Sequence, residues 1–441
     1  MVISKDVILP TWREIMDNKI ITVNENTIII SVTVQLGNSM LENEERIQSA
    51  LNKGGMALSE EALKRFDSDG SPIKVGDVKF TSKGIVPKVY QTPYGEIVID
   101  RHVYQSSSGG ATYCPLDHNA RIVTTSTPRF AKIISFKYSD NGSGRVVDDL
   151  KISNGREVAK SYVQNVANAV ASVAQLKEES SAYDLPEMER PVRTISVGMD
   201  GTCMPTVEDG YREAMVGTIG FFDRQGERMH TIYLGAIPEY GKERFLSRFE
   251  DEINKVKEQY PKVKRIGIAD GAKCNWEFLN KHTEDQVLDF WHATEYLTKA
   301  ADAIFSKKDQ SKQRKEWLDE SCHKLKHHAG APIRLLHEME LSLPEIKGEN
   351  KEKLKSSITY FENQNTRMKY AGNVENNLPI GSGITEAACK VIIKQRLCRS
   401  GMKWKDKGAA DVLSLRSLSY TPGRWEQFWN KIDSQGLPMA V

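Results

Sequence analysis

Two apolar stretches that each close on Asp-Gly constrain this chain more than any other feature: residues 193–200 (RTISVGMD) and 263–270 (VKRIGIAD). The first alternates Ile195, Val197 and Met199, the period of two that a strand shows when one face meets a core. Residues 214–222 and 227–236 read as two further strands about the turn at 223–226. Residues 241–258 put Phe245, Phe249, Ile253 and Val256 on one helical face. A short helix at 272–281 and a strand at 286–291 follow, then a long helical stretch from about 293 to 370, then a loop opening a helix in PIGSGITEAACKVIIKQRL. The predicted order is β-β-β-α-β-α-β-α, with the helical stretch set in before the last helix.

In a unit of this order of the RNase H type, the first and fourth strands lie side by side. Asp200 and Asp270 would then project from neighbouring strand ends, each followed by a glycine that lets the chain turn away. Glu386, early in the helix after Gly381-Ser382-Gly383, is the natural third acid. Phosphodiester chemistry needs a nucleophilic oxygen, a stabilised leaving oxygen and charge neutralisation at phosphorus. Two divalent ions about 3.5–4 Å apart supply all three. Mg2+ or Mn2+ on oxygen ligands fits these carboxylates, with two ions expected at Asp200, Asp270 and Glu386. Each feature alone is weak, because Asp-Gly after a strand commonly marks only a turn and a glutamate early in a helix commonly complements its dipole. Together they are more specific.

Overall charge gives nucleic-acid binding little support: 61 Lys and Arg face 59 Asp and Glu, a net charge of +2. The cations are local instead. Between 386 and 407 stand seven basic residues and two acidic ones. Lys390 and Lys394 follow Glu386 at i+4 steps, on about one face. Arg396, Arg399, Lys403, Lys405 and Lys407 continue the run, with Trp404 placed to stack on a base.

The N-terminal part is mixed. Residues 20–36 are β-branched and read as a strand, about 40–66 as two polar helices, and 88–105 as a hairpin about Pro93-Tyr94-Gly95. From 119 to 177 the pattern is helical, with Asn154 and Glu157 spaced as a capping box. Residues 145–150, a Lys-Ile-Ser-Asn-Gly turn and the following helix match a helix-turn-helix, with Arg156 and Lys160 near base edges. They match an ordinary helical pair better. Residues 176–191 read as a polar linker. Six cysteines form no C-x-x-C pair, so no zinc finger is expected. Cys322, His323, His327 and His328, interleaved with lysines, read as a polar surface. With no signal-peptide core and no long apolar run, a cytoplasmic protein that does not cross a membrane is expected.

At SVGMDGT (196–202), REAMVGTIGFFD (212–223), IGIADGAKCNW (266–276), DFWHATEYL (289–297), GRWEQFWN (423–430) and above all at 378–418, the chain resembles the ISKra-type insertion-sequence transposases of bacteria. These are relatives of the Mutator-like group with a DDE catalytic core. The resemblance spans about 190–435 well and 120–175 loosely. It implies the same triad of Asp200, Asp270 and Glu386, and it adds Asp289 and His292 as a D-x-x-H motif in which His292 orients a phosphate or an acid. It also implies that the helical stretch is an insertion domain. Many members carry paired cysteines before a Pro-Leu-Asp stretch; here SSSGGATYCPLD keeps Cys114 alone, so no zinc knuckle is expected.

The resulting organisation is an N-terminal mixed α+β domain (1–118), a helical DNA-binding segment and linker (119–190), an RNase H-like catalytic domain (191–297 and 376–441) and an all-α insertion (298–375). The expected activity is that of a transposase. It would bind terminal inverted repeats in double-stranded DNA, cleave strands and join 3′-hydroxyl ends to target DNA, as a homodimer or larger on DNA in the bacterial nucleoid. A transposase-derived DNA-binding protein without transposition activity, or a structure-specific nuclease, would carry many of the same features.

Overall fold

The computed structural model describes residues 19–23, 26–106, 109–179, 183–238 and 241–436. The leader region read for a signal peptide lies outside the described residues. The chain forms two compact units, residues 1–174 with 428–441, and residues 175–427.

In the first unit, β1 (Lys19–Val23) and β2 (Ile28–Ser31) pair antiparallel with Val23 opposite Ile28. The single strand expected over 20–36 is therefore a hairpin, the polar Asn26 and Thr27 lying between its arms. Helix α1 (Met40–Lys64) is one helix where two were expected, and it runs straight through Gly54 and Gly55. Packing explains this: a Cβ on Gly55 would lie 2.3 Å from Cγ of Tyr94. That close approach outweighs the roughly 1 kcal/mol glycine costs a helix. Strands β3 (Ile73–Val75), β4 (Val78–Gln91) and β5 (Glu96–Ser106) make an antiparallel sheet. The β4–β5 turn falls at Pro93-Tyr94-Gly95, as the sequence predicts, with Gln91 opposite Glu96.

Helices α2 (Pro115–Asn119), α3 (Pro128–Asp140), α4 (Ser143–Asn154) and α5 (Lys160–Glu179) follow. Asn154 does not open a helix. It closes α4, and Gly155, at φ +63°, caps that end. A glycine in the left-handed region is a strong helix stop, and Glu157 pairs with Lys151 (2.6 Å) instead of capping α5. Arg156 is not at a base-reading position either. It is 7% exposed. Its Nε donates to the carbonyl of Thr92 (3.1 Å) and its Nη2 to Oε1 of Gln91 (2.6 Å). Its guanidinium lies 5.2 Å from the Phe130 ring centre. Arg156 thus ties the helices to the β4–β5 turn, while Lys160 stays exposed at the start of α5.

The second unit is mixed α/β. Its strands and helices come in the order that the periodicity predicts: β6 (Thr194–Pro205), β7 (Tyr211–Phe222), β8 (Arg228–Ala236), α6 (Glu243–Gln259), β9 (Lys264–Ala269), α7 (Lys273–His282), β10 (Asp285–Leu288) and α8 (Phe290–Ile304). They form a five-stranded sheet of order β10-β9-β6-β7-β8, with β6, β7 and β8 antiparallel and β9 and β10 parallel to β6. Ile195, Val197 and Met199 pack into one core with Phe245, Phe249, Ile253 and Val256 of α6 and Leu279 of α7. Helices α9 (Ser311–His327), α10 (Ala331–Ser342), α11 (Glu349–Gln364) and α12 (Tyr370–Glu375) make up the helical stretch.

The opposite face of the sheet carries α13 (Gly383–Ala388), a π-helical turn (Cys389–Lys394), the single turn α14 (Gln395–Leu397) and α15 (Asp406–Tyr420). Helix α16 (Arg424–Gln435) ends the described chain. The segment expected as a linker is anchored where it is described. Tyr183 is 2% exposed, its carbonyl accepts from Nζ of Lys255 (3.1 Å), and the Arg424 guanidinium lies 5.2 Å from its ring centre. A polar sequence did not reveal that one aromatic ring would be buried. Among the described residues no helix is long and apolar enough to cross a membrane.

Arg156→Ala should therefore act on stability. Leaving the Thr92 carbonyl and Gln91 amide without their donor should cost about 1–3 kcal/mol, read as a lower denaturant midpoint. An unchanged midpoint would return Arg156 to the surface.

Candidate functional site

The site lies at the carboxyl ends of the parallel strands. Gly198 of β6 is opposite Ile268 of β9, and Leu288 of β10 is opposite Ala269. Carried onward, this register puts Asp200, Asp270 and Asp289 in one row across three neighbouring strands, which in a sheet lie about 4.8 Å apart. The row differs from the sequence reading in one respect. Asp200 does not end its strand: β6 continues to Pro205, still paired with β7 beyond its last β9 partner. Gly201 accordingly stays extended, whereas Gly271 does turn, at φ +112°.

Asp200 accepts from the Gly201 N–H on Oδ1 (2.7 Å) and from the Cys389 thiol on Oδ2 (3.4 Å). Burial pushes its carboxyl above the ordinary aspartate range, and the negative charge of Asp270 adds to this; Gly201, Cys389 and the nearby His292 pull the other way. Burial, with the Asp200 charge, holds the Cys389 thiol protonated. Asp270 accepts from the Ala272 N–H (3.1 Å) and from Nδ2 of Asn275 (3.4 Å). The Tyr360 hydroxyl of α11 donates to the Asp270 carbonyl (2.8 Å), and Nε2 of Gln364 donates to that of Gly271 (3.4 Å). The Tyr360 ring is itself stacked on Tyr296 of α8, centroids 3.7 Å apart. The helical stretch thus clasps the turn that presents Asp270.

Glu386 arrives from the other face of the sheet. A Cβ on Gly198 would lie 2.2 Å from the Thr385 hydroxyl, and one on Gly220 would meet Ile384 at 3.1 Å. The two glycines leave a seat on β6 and β7 into which α13 settles, pinned by the buried Thr218–Thr385 hydroxyl pair (2.7 Å). The π turn then follows, a feature that recurs at functional sites because it re-aims a helix. The buried guanidinium of Arg416 from α15 satisfies its carbonyls, donating to Ile392 (2.8 Å) and Val391 (2.5 Å).

Asp289 and His292 join the same site. One oxygen each of Asp289 and Glu386 and one ring nitrogen of His292 lie within 4.8 Å of one another; among the described residues Asp200 and Asp270 belong to no such group, so the expected set of Asp200, Asp270 and Glu386 is not drawn that close together. Asp289 is fully buried and caps α8: its Oδ1 accepts from the His292 N–H (2.8 Å). Its Oδ2 accepts from the Ser382 N–H (2.5 Å) and faces the Ser382 hydroxyl (2.9 Å), which also lies 2.7 Å from Oε1 of Glu386. A hydroxyl has one proton, so Ser382 donates to one carboxylate at a time. With both oxygens engaged, Asp289 positions the Glu386 loop, while exposed Glu386 and half-buried His292 face outward. Cys322, His323, His327 and His328 form no such cluster among the described residues.

The basic run divides in two. Lys390, Lys394, Arg399, Lys403 and Lys405 are exposed. Arg396 is 1% exposed and lies over the Trp404 ring at 5.0 Å. The Trp404 Nε1 donates to the Leu397 carbonyl (3.0 Å), and its main chain bridges to Pro205 and Val207. Arg396 and Trp404 therefore hold each other and the end of β6; Arg396 is too buried to meet a phosphate, and the partly exposed Trp404 has one ring face covered by Arg396. Cys389, Tyr360, Asn275 and Ser382 were missed by the sequence reading. Only Ser382, inside the Gly-Ser-Gly loop, carried any local signal.

No protein-family model matches the chain, and no curated protein matches it.

Adding a methyl at Gly198 should push α13 off its seat. Gly198→Ala should lower stability by about 1–3 kcal/mol, the range for overpacking. Gly408→Ala is the control: its added Cβ meets only ordinary contact at 3.9 Å, so it should be neutral or mildly stabilising. Equal behaviour of the two variants in thermal unfolding would mean that α13 does not depend on Gly198.

Proposed function

We propose that this chain is a metal-dependent DNA strand-cleaving and strand-joining enzyme, a transposase of the ISKra-like insertion-sequence type with an RNase H-like core. The observation that carries the reading is the row of carboxylates, Asp200 and Asp270 on neighbouring strands, with Glu386 brought in beside Asp289 and His292 by a helix on the other face of the sheet. The strand order, 3-2-1-4-5 by position within the unit, supports the RNase H-like assignment. The all-helical segment between Asp270 and Glu386 supports the transposase reading over that of a simple nuclease.

The donors present suit Mg2+ or Mn2+. Asp200, Asp270 and Glu386 offer only oxygen, the ligand such ions prefer. Burial and the neighbouring Asp270 charge disfavour an ionised Asp200, a condition that a bound cation relieves. Those three residues would hold two ions, which supply charge neutralisation at phosphorus and activate the attacking oxygen. The protein's own part is placement: Tyr360 and Gln364 fix the Asp270 turn, Cys389 orients Asp200, and Asp289 and Ser382 set Glu386. His292 faces outward beside Asp200 and Glu386, where it can donate to a phosphate oxygen. The exposed lysines from Lys390 to Lys405 would follow the DNA backbone, and a dimer or larger would hold two DNA ends together.

Asp200→Asn or Asp270→Asn should abolish cleavage of DNA carrying the element's ends, at least 10³-fold, while end binding persists; such a substitution removes a charge and almost no volume. Calcium in place of magnesium should support binding without cleavage. Cleavage close to wild type in either variant would remove these acids from the chemistry.

Replacing Lys390 and Lys394 together by Ala should weaken binding to any duplex. It should also flatten the dependence of affinity on salt, by about one slope unit for each backbone phosphate that the variant no longer neutralises. An unaltered salt slope would place both lysines off the DNA.

A further inference from the structure

A cavity of about 560 Å³ opens at the other end of the same parallel strands, lined by Thr194 at the start of β6 and Lys264 at the start of β9. Thr194 lies six residues before Asp200. At about 3.3 Å per residue the cavity is about 20 Å from the carboxylates. It is a separate site, and nothing in the chemistry above uses it.

We propose that this cavity binds a phosphate-bearing ligand. Its lining holds Arg193, Lys264, Lys369 and His328 and contains no carboxylate. Behind the lining, Asp285 bonds to both lysines, 3.1 Å from each Nζ. Asp285 offsets one positive charge of three and holds the two ammonium groups in place. Arg193, on the solvent side, has no ion-pair partner among the described residues. The amino end of α10 at Gly330 and Pro332 forms another part of the wall, and its dipole favours an anion. The independent observation is Asn373. It lines the cavity, is 5% exposed, and its Nδ2 has no acceptor among the described residues. A buried amide donor without an acceptor costs free energy, and a turn of the Asn373 side chain toward the cavity would let a ligand oxygen remove that cost. A guanidinium, two ammonium groups and an amide N–H are all donors, the complement of a phosphate group that only accepts. Met368 and Leu378 add apolar wall, against which the organic part of a phosphate ester can rest.

The ligand is either a backbone phosphate of DNA or a free phosphate ester, and one experiment separates them. Inorganic pyrophosphate is titrated into the full-length chain by calorimetry, with and without a short blunt duplex lacking any element ends. One saturable site per chain is expected, weakened about tenfold by Arg193→Ala and by Asn373→Asp, the energetic scale of one charge-assisted hydrogen bond. Thermal unfolding of both variants checks that they remain folded. Displacement of pyrophosphate by the duplex assigns the cavity to backbone phosphate, and no displacement assigns it to a free ester. Absence of saturable pyrophosphate binding, or equal affinity in the wild type and both folded variants, overturns the proposal. The Asp200→Asn protein should bind pyrophosphate as the wild type does, so the result is independent of whether the chain cleaves DNA.

Discussion

The arrangement of the second unit depends on one close contact, the settling of α13 onto β6 and β7 where Gly198 and Gly220 leave no side chain in the way. A helix normally packs on a sheet through intervening side chains, which would hold Glu386 away from Asp200. Here the Thr385 hydroxyl occupies the space of the missing Gly198 Cβ and bonds to Thr218. The same approach repeats at Gly235, where a Cβ would lie 2.9 Å from Ile392. Three small residues on three adjacent strands thus seat one continuous segment, 383–394. The π turn in that segment survives because Arg416 donates to two of its carbonyls; without that donor the buried oxygens would favour a regular helix.

Gathering carboxylates at one strand end opposes folding, since like charges in a partly buried site repel. The structure answers this with donors aimed at each acid. Gly201 and Cys389 donate to Asp200, Ala272 and Asn275 to Asp270, and His292 and Ser382 to Asp289. These bonds also fix rotamers, so the groups that would meet substrate are held before it arrives. Asp289 illustrates the division of labour. It stands in the same row as Asp200 and Asp270, yet its full burial and engaged oxygens make it a strut between α8 and the Glu386 loop.

The parallel strands β6 and β9 separate charge along their length. Carboxylates gather at one end and cations at the other, about 20 Å apart by strand rise. Both ends draw on the helical segment: α11 supplies Tyr360 and Gln364 to the acidic end, while the α9–α10 connection supplies His328, and α12 with the residue before it supplies Asn373 and Lys369, to the basic end. That segment is therefore part of the core's construction at both ends.

The sequence by itself determined the strands and helices of the second unit, because a half-buried strand or helix writes its period into its own residues. Asp200 and Asp270 were legible for the same reason, as acids at equivalent places in two such patterns. Glu386 was legible as the acid opening a helix after a glycine-rich loop. What only the tertiary structure decided is contact between residues distant in sequence. Whether Arg156 and Arg396 would be buried, whether Trp404 would be free to stack, and whether α1 would continue through two glycines all turn on partners far along the chain: Thr92 for Arg156, Pro205 for Trp404, Tyr94 for Gly55. A basic residue looks alike in sequence whether it meets solvent or a carbonyl. Cys389, Tyr360 and Asn275 were illegible because nothing local marks a thiol, a phenol or an amide as the donor to an acid brought beside it only by folding.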